Sequence, residues 1–68
     1  MNQISKKLGQ NIKRIREAKG MSQGDICRAL NMDRGYISRI ESGQKNPTLA
    51  NIEKIAKSLD VSIDELLK

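Results

Sequence analysis

Arg34, Ser38 and Arg39 stand in one short segment, Arg34-Gly35-Tyr36-Ile37-Ser38-Arg39, and share the exposed side of a helix if the segment is helical. A guanidinium carries its N–H donors in a rigid fork, so it can pair two of them with guanine O6 and N7 or clasp a phosphate. That is chemistry of recognition, not of bond making. The chain has no histidine, one cysteine (Cys27), no glycine-rich phosphate loop and no carboxylate pair in a plausible pocket, so an enzyme finds almost no support. Zinc frameworks and disulfide scaffolds are excluded for want of ligands and partners, and no metal or cofactor is expected.

The elements that must position these arginines follow from capping and periodicity. Residues 22–43 read as two short helices joined by a tight turn. Ser22 is an N-cap whose partner Asp25 makes a variant capping box, and the helix runs over 23–30. Asn31 supplies the left-handed residue of the turn, where Asn is the usual substitute for Gly. Asp33 caps the next helix, 34–42, and Gly43 ends it. Ile26, Cys27 and Leu30 point inward from one helix, Ile37 and Ile40 from the other. Cys27 serves as the small residue that a close crossing needs; a reactive thiol is the rival reading, without a flanking acid–base partner.

On either side of this unit the pattern stays helical. Ile4, Leu8, Ile12, Ile15 and Ala18 form one stripe, which Gly20 stops. Its basic flank could rest on a membrane surface, but the apolar side lacks Trp and Phe, and core packing suits it better. Thr48 caps a fourth helix with the stripe Leu49, Ile52, Ile55, Ala56 and Leu59. Asp60-Val61 breaks it, and Ser62 to Glu65 is a complete capping box opening a last short helix through Leu67. The expectation is an all-α, compact five-helix bundle forming a single domain over 1–68, with a central helix-turn-helix at about 22–42. Such a unit lays its second helix into the major groove of DNA.

Charge agrees with that reading. The net charge is +5 over 68 residues, but residues 1–45 carry ten Lys/Arg against four acids, and 46–68 three against four. A polyanion should meet the N-terminal two-thirds. Many small proteins are basic, so charge alone decides little. Apolar runs never exceed two residues, which excludes a membrane span and a secretory signal; an intracellular, cytoplasmic location follows.

The ordered set of Gln23, Tyr36-Ile37-Ser38-Arg39-Ile40-Glu41-Ser42-Gly43, Asn46-Pro47 and the run from Ala56 to Leu67 resembles the lambda-repressor/Cro family of DNA-binding domains, also called the Xre family. The resemblance covers almost the whole chain. Cys27 stands where the family usually has Ala, Asn31 where Gly is commonest, and Asp60 where Gly usually follows the fourth helix.

The resemblance implies roles residue by residue. Arg34, Gly35 and Arg39 match base-reading positions, with Ser38 on the same side, so guanines are expected in the operator half-site; one arginine holding only a phosphate is the alternative. Gly35 lets the backbone approach base edges or lets a neighbouring Arg lie across it. Gln23 matches a phosphate clamp, with Ser22 beside it, and Ser42, Gln44, Lys45, Asn46 and Thr48 line a loop following the same backbone. Tyr36, the only aromatic, either gives its hydroxyl to a phosphate or touches a thymine methyl, or packs half-buried on the preceding helix. Arg16 and Glu41 match an ion pair joining the first helix to the end of the recognition helix; a solvated surface pair is the plainer alternative.

The family binds palindromic DNA as a two-fold homodimer. Val61, Ile63, Leu66 and Leu67 are more apolar residues than one short helix needs, and a symmetric contact through them is expected; closing the core is the alternative. The function implied is a sequence-specific double-stranded-DNA-binding transcriptional regulator, with repression the leading expectation. A restriction–modification controller or a small phage repressor both fit. An antitoxin or adaptor binding a protein partner is the rival class.

Overall fold

Five helices form where capping and periodicity place them: α1 (Gln3–Ala18), α2 (Gln23–Leu30), α3 (Arg34–Glu41), α4 (Leu49–Ser58) and α5 (Ile63–Leu67). The computed structural model describes residues 3–68; Met1 and Asn2, the first two residues of the expected domain, lie outside the described residues. There is no strand among the described residues. α1 packs against α3 and α5, α2 against α3 and α4, and α4 against α5. Their shared core is wholly aliphatic: Leu8, Ile12 and Ile15 from α1, Ile26 from α2, Ile37 and Ile40 from α3, and Ile55, Ala56, Leu59 and Leu66 beyond.

The caps show how local chemistry sets the boundaries. Ser22 accepts the Asp25 N–H at 3.1 Å, and the Asp25 carboxylate accepts the Ser22 N–H at 2.8 Å, so two orphan donors are satisfied reciprocally. Asn31 takes the left-handed conformation at φ 55°, as does Asp60 at φ 57°. Thr48 accepts from the Asn51 N–H at 3.2 Å. Two expected caps are corrected. Asp33 sits at the N-cap of α3 with extended backbone, but its side chain makes no capping bond. Ser62 accepts from the Glu65 N–H at 3.3 Å, yet the return bond is not made; the Glu65 carboxylate faces Lys68 at 3.6 Å instead.

Asp25 makes the α2 cap sensitive to acid. The Ser22 backbone N–H, then the Ser22 hydroxyl, hold its carboxyl below the ordinary value of 3.8. A depressed carboxyl contributes stability above its unfolded pKa and loses it as pH falls through the folded one. The melting temperature should therefore drop more steeply with acidification below pH 3.8 in the parent than in Asp25→Asn. Parallel thermal melts across that range measure the difference.

The buried face of α1 differs from the aliphatic stripe. It is rotated toward Ser5, Gly9 and Arg16, because α1 lies against α3. Ile4, expected inside, is consequently 70 % exposed, and Ala18 is exposed as well. Leu49, at the margin of the α4 stripe, is 65 % exposed, while Ile52, Cys27 and Leu30 are half-buried against the core. Gly9 explains the rotation. A Cβ there would collide with the Ile40 carbonyl oxygen and stand 2.7 Å from that of Glu41. The two helices meet backbone to side-chain-free backbone. Gly9→Ala should cost about 1–3 kcal/mol in a urea melt, the scale of overpacking a tight contact.

Candidate nucleic-acid interface

α3 turns its aliphatic side, Ile37 and Ile40, into the core and leaves Arg34, Ser38 and Arg39 exposed, with Gly35 half-exposed between them. Neither arginine has a hydrogen bond or ion pair from its side chain among the described residues. Both guanidinium groups are thus uncommitted donors on the exposed side of α3.

What fixes this helix is a buried polar cluster at its C-terminal end. Arg16 Nε donates to Glu41 Oε2 at 2.7 Å and Nη2 to Oε1 at 3.1 Å, a paired contact between α1 and α3. Arg16 Nη1 donates to the Met21 carbonyl at 2.7 Å. The bond to Glu41 raises the affinity of Arg16 for its proton, against the opposing effect of burial. With side chains 9 % and 3 % exposed, the pair is buried, not solvated. No buried side-chain polar atom lacks a partner among the described residues.

The same cluster holds Gln23. Its Nε2 donates to Glu41 Oε1 at 3.0 Å, so the N-terminus of α2 is tied to the end of α3. One N–H of the amide is spent inside the fold and the other remains available. Thr48 acts as an acceptor in its cap, which leaves its hydroxyl proton free to donate; the Ser22 hydroxyl accepts in its own cap and also favours the Asp25 carboxylate. Ser42 differs: its hydroxyl donates to the Arg39 carbonyl at 3.1 Å, so it is already used. Gln44, Lys45 and Asn46 are exposed beside it.

Tyr36 is half-buried against the core. Asn51 Nδ2 donates to its phenolic oxygen at 2.8 Å, and Lys45 Nζ lies 5.9 Å from the ring centroid. The phenol proton is thereby left to point away from Asn51. Sequence reasoning missed Asn51; its only signal was a polar residue three positions after the Thr48 cap. It also missed that the Asp33 side chain makes no capping bond.

At the opposite end, Leu66 is corrected. It is 0 % exposed and belongs to the chain's own core, where no second subunit can reach it. Val61 and Ile63 are half-buried against that core, and Leu67 is 48 % exposed. Among the described residues no helix is long and apolar enough to cross a membrane, and no cluster could hold a metal ion.

Two short helices joined through a left-handed asparagine, the second held outward by a buried ion pair, define a helix-turn-helix protein. Residues 12–66 match the helix-turn-helix family model, and the chain belongs to the Cro/C1-type (lambda-repressor/Cro-like) helix-turn-helix family. It is 37 % identical over 67 residues to the control protein C.MunI of Mycoplasma sp, covering 97 % of this chain and 90 % of that one. It is 43 % identical over 67 residues to the control protein C.BamHI of Bacillus amyloliquefaciens, covering 97 % and 83 %. Among solved structures, the restriction-modification controller protein C.Esp1396I, a tetramer in complex with its natural 35 base-pair operator, superposes with a TM-score of 0.84 at 39 % identity, covering all of both chains. This family is one of transcription regulators and not an enzyme class.

Proposed function

We propose that this chain is a sequence-specific regulator of transcription that binds duplex DNA in the cytoplasm and represses by occupying a two-fold operator as a homodimer. The observation that carries this is the exposed face of α3, where Arg34 and Arg39 have no side-chain partner among the described residues while the helix beneath them is locked by Arg16 and Glu41. Arg34, Gly35, Ser38 and Arg39 read base edges. Ser22, Gln23, Tyr36, Gln44, Lys45, Asn46 and Thr48 fix the register on phosphates. Ser42 contributes less, because its proton is already donated. The controller proteins to which the chain is similar, one of them solved on its operator, support the same reading.

Selection of bound sequences from random duplex DNA tests this directly. The expected product is a palindrome with guanines in each half-site and centres about one helical turn apart. Neutralising five phosphates per subunit gives a log–log salt slope of about −4.5 per subunit. No selected sequence at moderate salt, with co-purification of a second protein, would favour an adaptor.

The subunit contact rests on Ile63, Val61 and the exposed Leu67. Leu67→Lys should weaken self-association by about tenfold or more, the loss of one apolar side chain from a small interface. Sedimentation equilibrium reads this, and a parent that is monomeric both free and on operator removes the dimer.

A further inference from the structure

Asp33 is the one acid at the start of the recognition helix, and it is idle. Its carboxylate makes no capping bond and no ion pair among those the structure shows. A carboxylate on a face that meets phosphates repels them, so an unemployed one there is a cost without a visible return. Gly35 supplies the second observation. A Cβ placed on it would stand 2.9 Å from Asp33 Oδ2 and 3.4 Å from Arg39 Nη1. The carboxylate and the guanidinium therefore flank the same small space, which exists only because residue 35 has no side chain.

We propose that Asp33 is a positioning residue for Arg39, bracing its guanidinium across the gap left by Gly35 so that it meets a base edge in one orientation. This rests on the DNA-binding reading of α3. Guanine takes two donors from one edge of a guanidinium, and the donors on the other edge stay free for a carboxylate. A charge-assisted bond from the flank fixes the plane of the fork, which a long side chain on an exposed helix lacks on its own. Gly35 stands in a helix despite its poor propensity, and a side chain there would displace the Asp33 carboxylate from its place beside Arg39. The negative charge also weakens attachment to DNA that offers no partner for Arg39.

The test compares the parent with Asp33→Asn, Gly35→Ala, Arg39→Ala and the double variant Asp33→Asn/Arg39→Ala. Each is taken through selection from a random-sequence duplex library. Anisotropy titrations then follow on the selected duplex and its single base-pair variants. Arg39→Ala should erase preference at one position per half-site. Asp33→Asn should reduce preference at that same position by about fivefold, the scale of one hydrogen bond. It should leave the position lost in Arg34→Ala intact and add nothing in the Arg39→Ala background. Binding of unselected duplex should tighten. Gly35→Ala should melt at least as high as the parent and show the same loss of discrimination, which separates positioning from folding.

Unchanged base preference in Asp33→Asn, or parental discrimination in Gly35→Ala, overturns the brace while leaving DNA binding intact. A changed preference that persists without Arg39 means Asp33 reads a base itself, and also overturns it. An Arg39→Ala variant that alters no position does the same. A parent that selects no sequence overturns both this inference and the function on which it rests.

Discussion

Arg34→Ala is expected to flatten base preference at one position of each half-site while leaving the melting temperature at the parental value. Arg34 opens α3, is exposed, and has no side-chain partner among the described residues, so its removal takes nothing from the core. Alanine is if anything the better helix former. A bidentate contact to guanine discriminates by about 1–3 kcal/mol, and two-fold symmetry doubles that to about 2–6 kcal/mol across an operator. Competition between the selected duplex and one substituted symmetrically at that position measures the effect. Lys45→Ala is the control: loss of a phosphate contact should weaken every duplex alike and lower the salt slope by about 1. If Arg34→Ala behaves as Lys45→Ala should, then Arg34 holds a phosphate and the base-reading role passes to Arg39.

The features legible in the sequence are those settled within one helical turn. The Ser22–Asp25 box, the left-handed Asn31 and the Thr48 cap are all decided by residues a few positions apart. What the sequence hid depends on contacts between distant segments. An aliphatic stripe suggested that Ile4 and Ala18 face inward, whereas the approach of α1 to α3 buries Ser5, Gly9 and Arg16 in their stead. That approach is governed by Gly9, which periodicity ignores because it has no side chain to count. Leu66 illustrates a different limit. Core and subunit contacts both select apolar residues, so a run of them cannot reveal which ones the chain already encloses. Gln23 shows a third: its amide suits a phosphate, but only the fold reveals that half of it is anchored to Glu41. The candidate surface was therefore visible as residue types, and its internal wiring was not.

The wiring makes the strongest stability prediction. Glu41→Gln should cost about 3–5 kcal/mol, because Arg16 would keep its charge in a site from which water is largely excluded. A pair exposed at the surface would cost under about 1 kcal/mol, and the exposures of 9 % and 3 % decide between these cases. Small native domains are stable by only about 5–15 kcal/mol, so much of the margin would go. Denaturant melts of the two proteins should show a clear drop in midpoint with an unchanged slope. Replacing both partners by apolar residues, as Arg16→Met with Glu41→Leu, should recover most or all of the loss, since no charge is then stranded. DNA binding should not recover with it. Gln23 would have no acceptor at Glu41, and the Met21 carbonyl no donor from Arg16, so α2 would no longer be registered against the end of α3. A doubly substituted chain that melts like the parent but binds the selected duplex more weakly assigns this pair two separable tasks, one of charge compensation and one of alignment. A Glu41→Gln chain that melts like the parent would mean that solvent reaches the guanidinium, and that alignment of α3 rests on its aliphatic contacts alone.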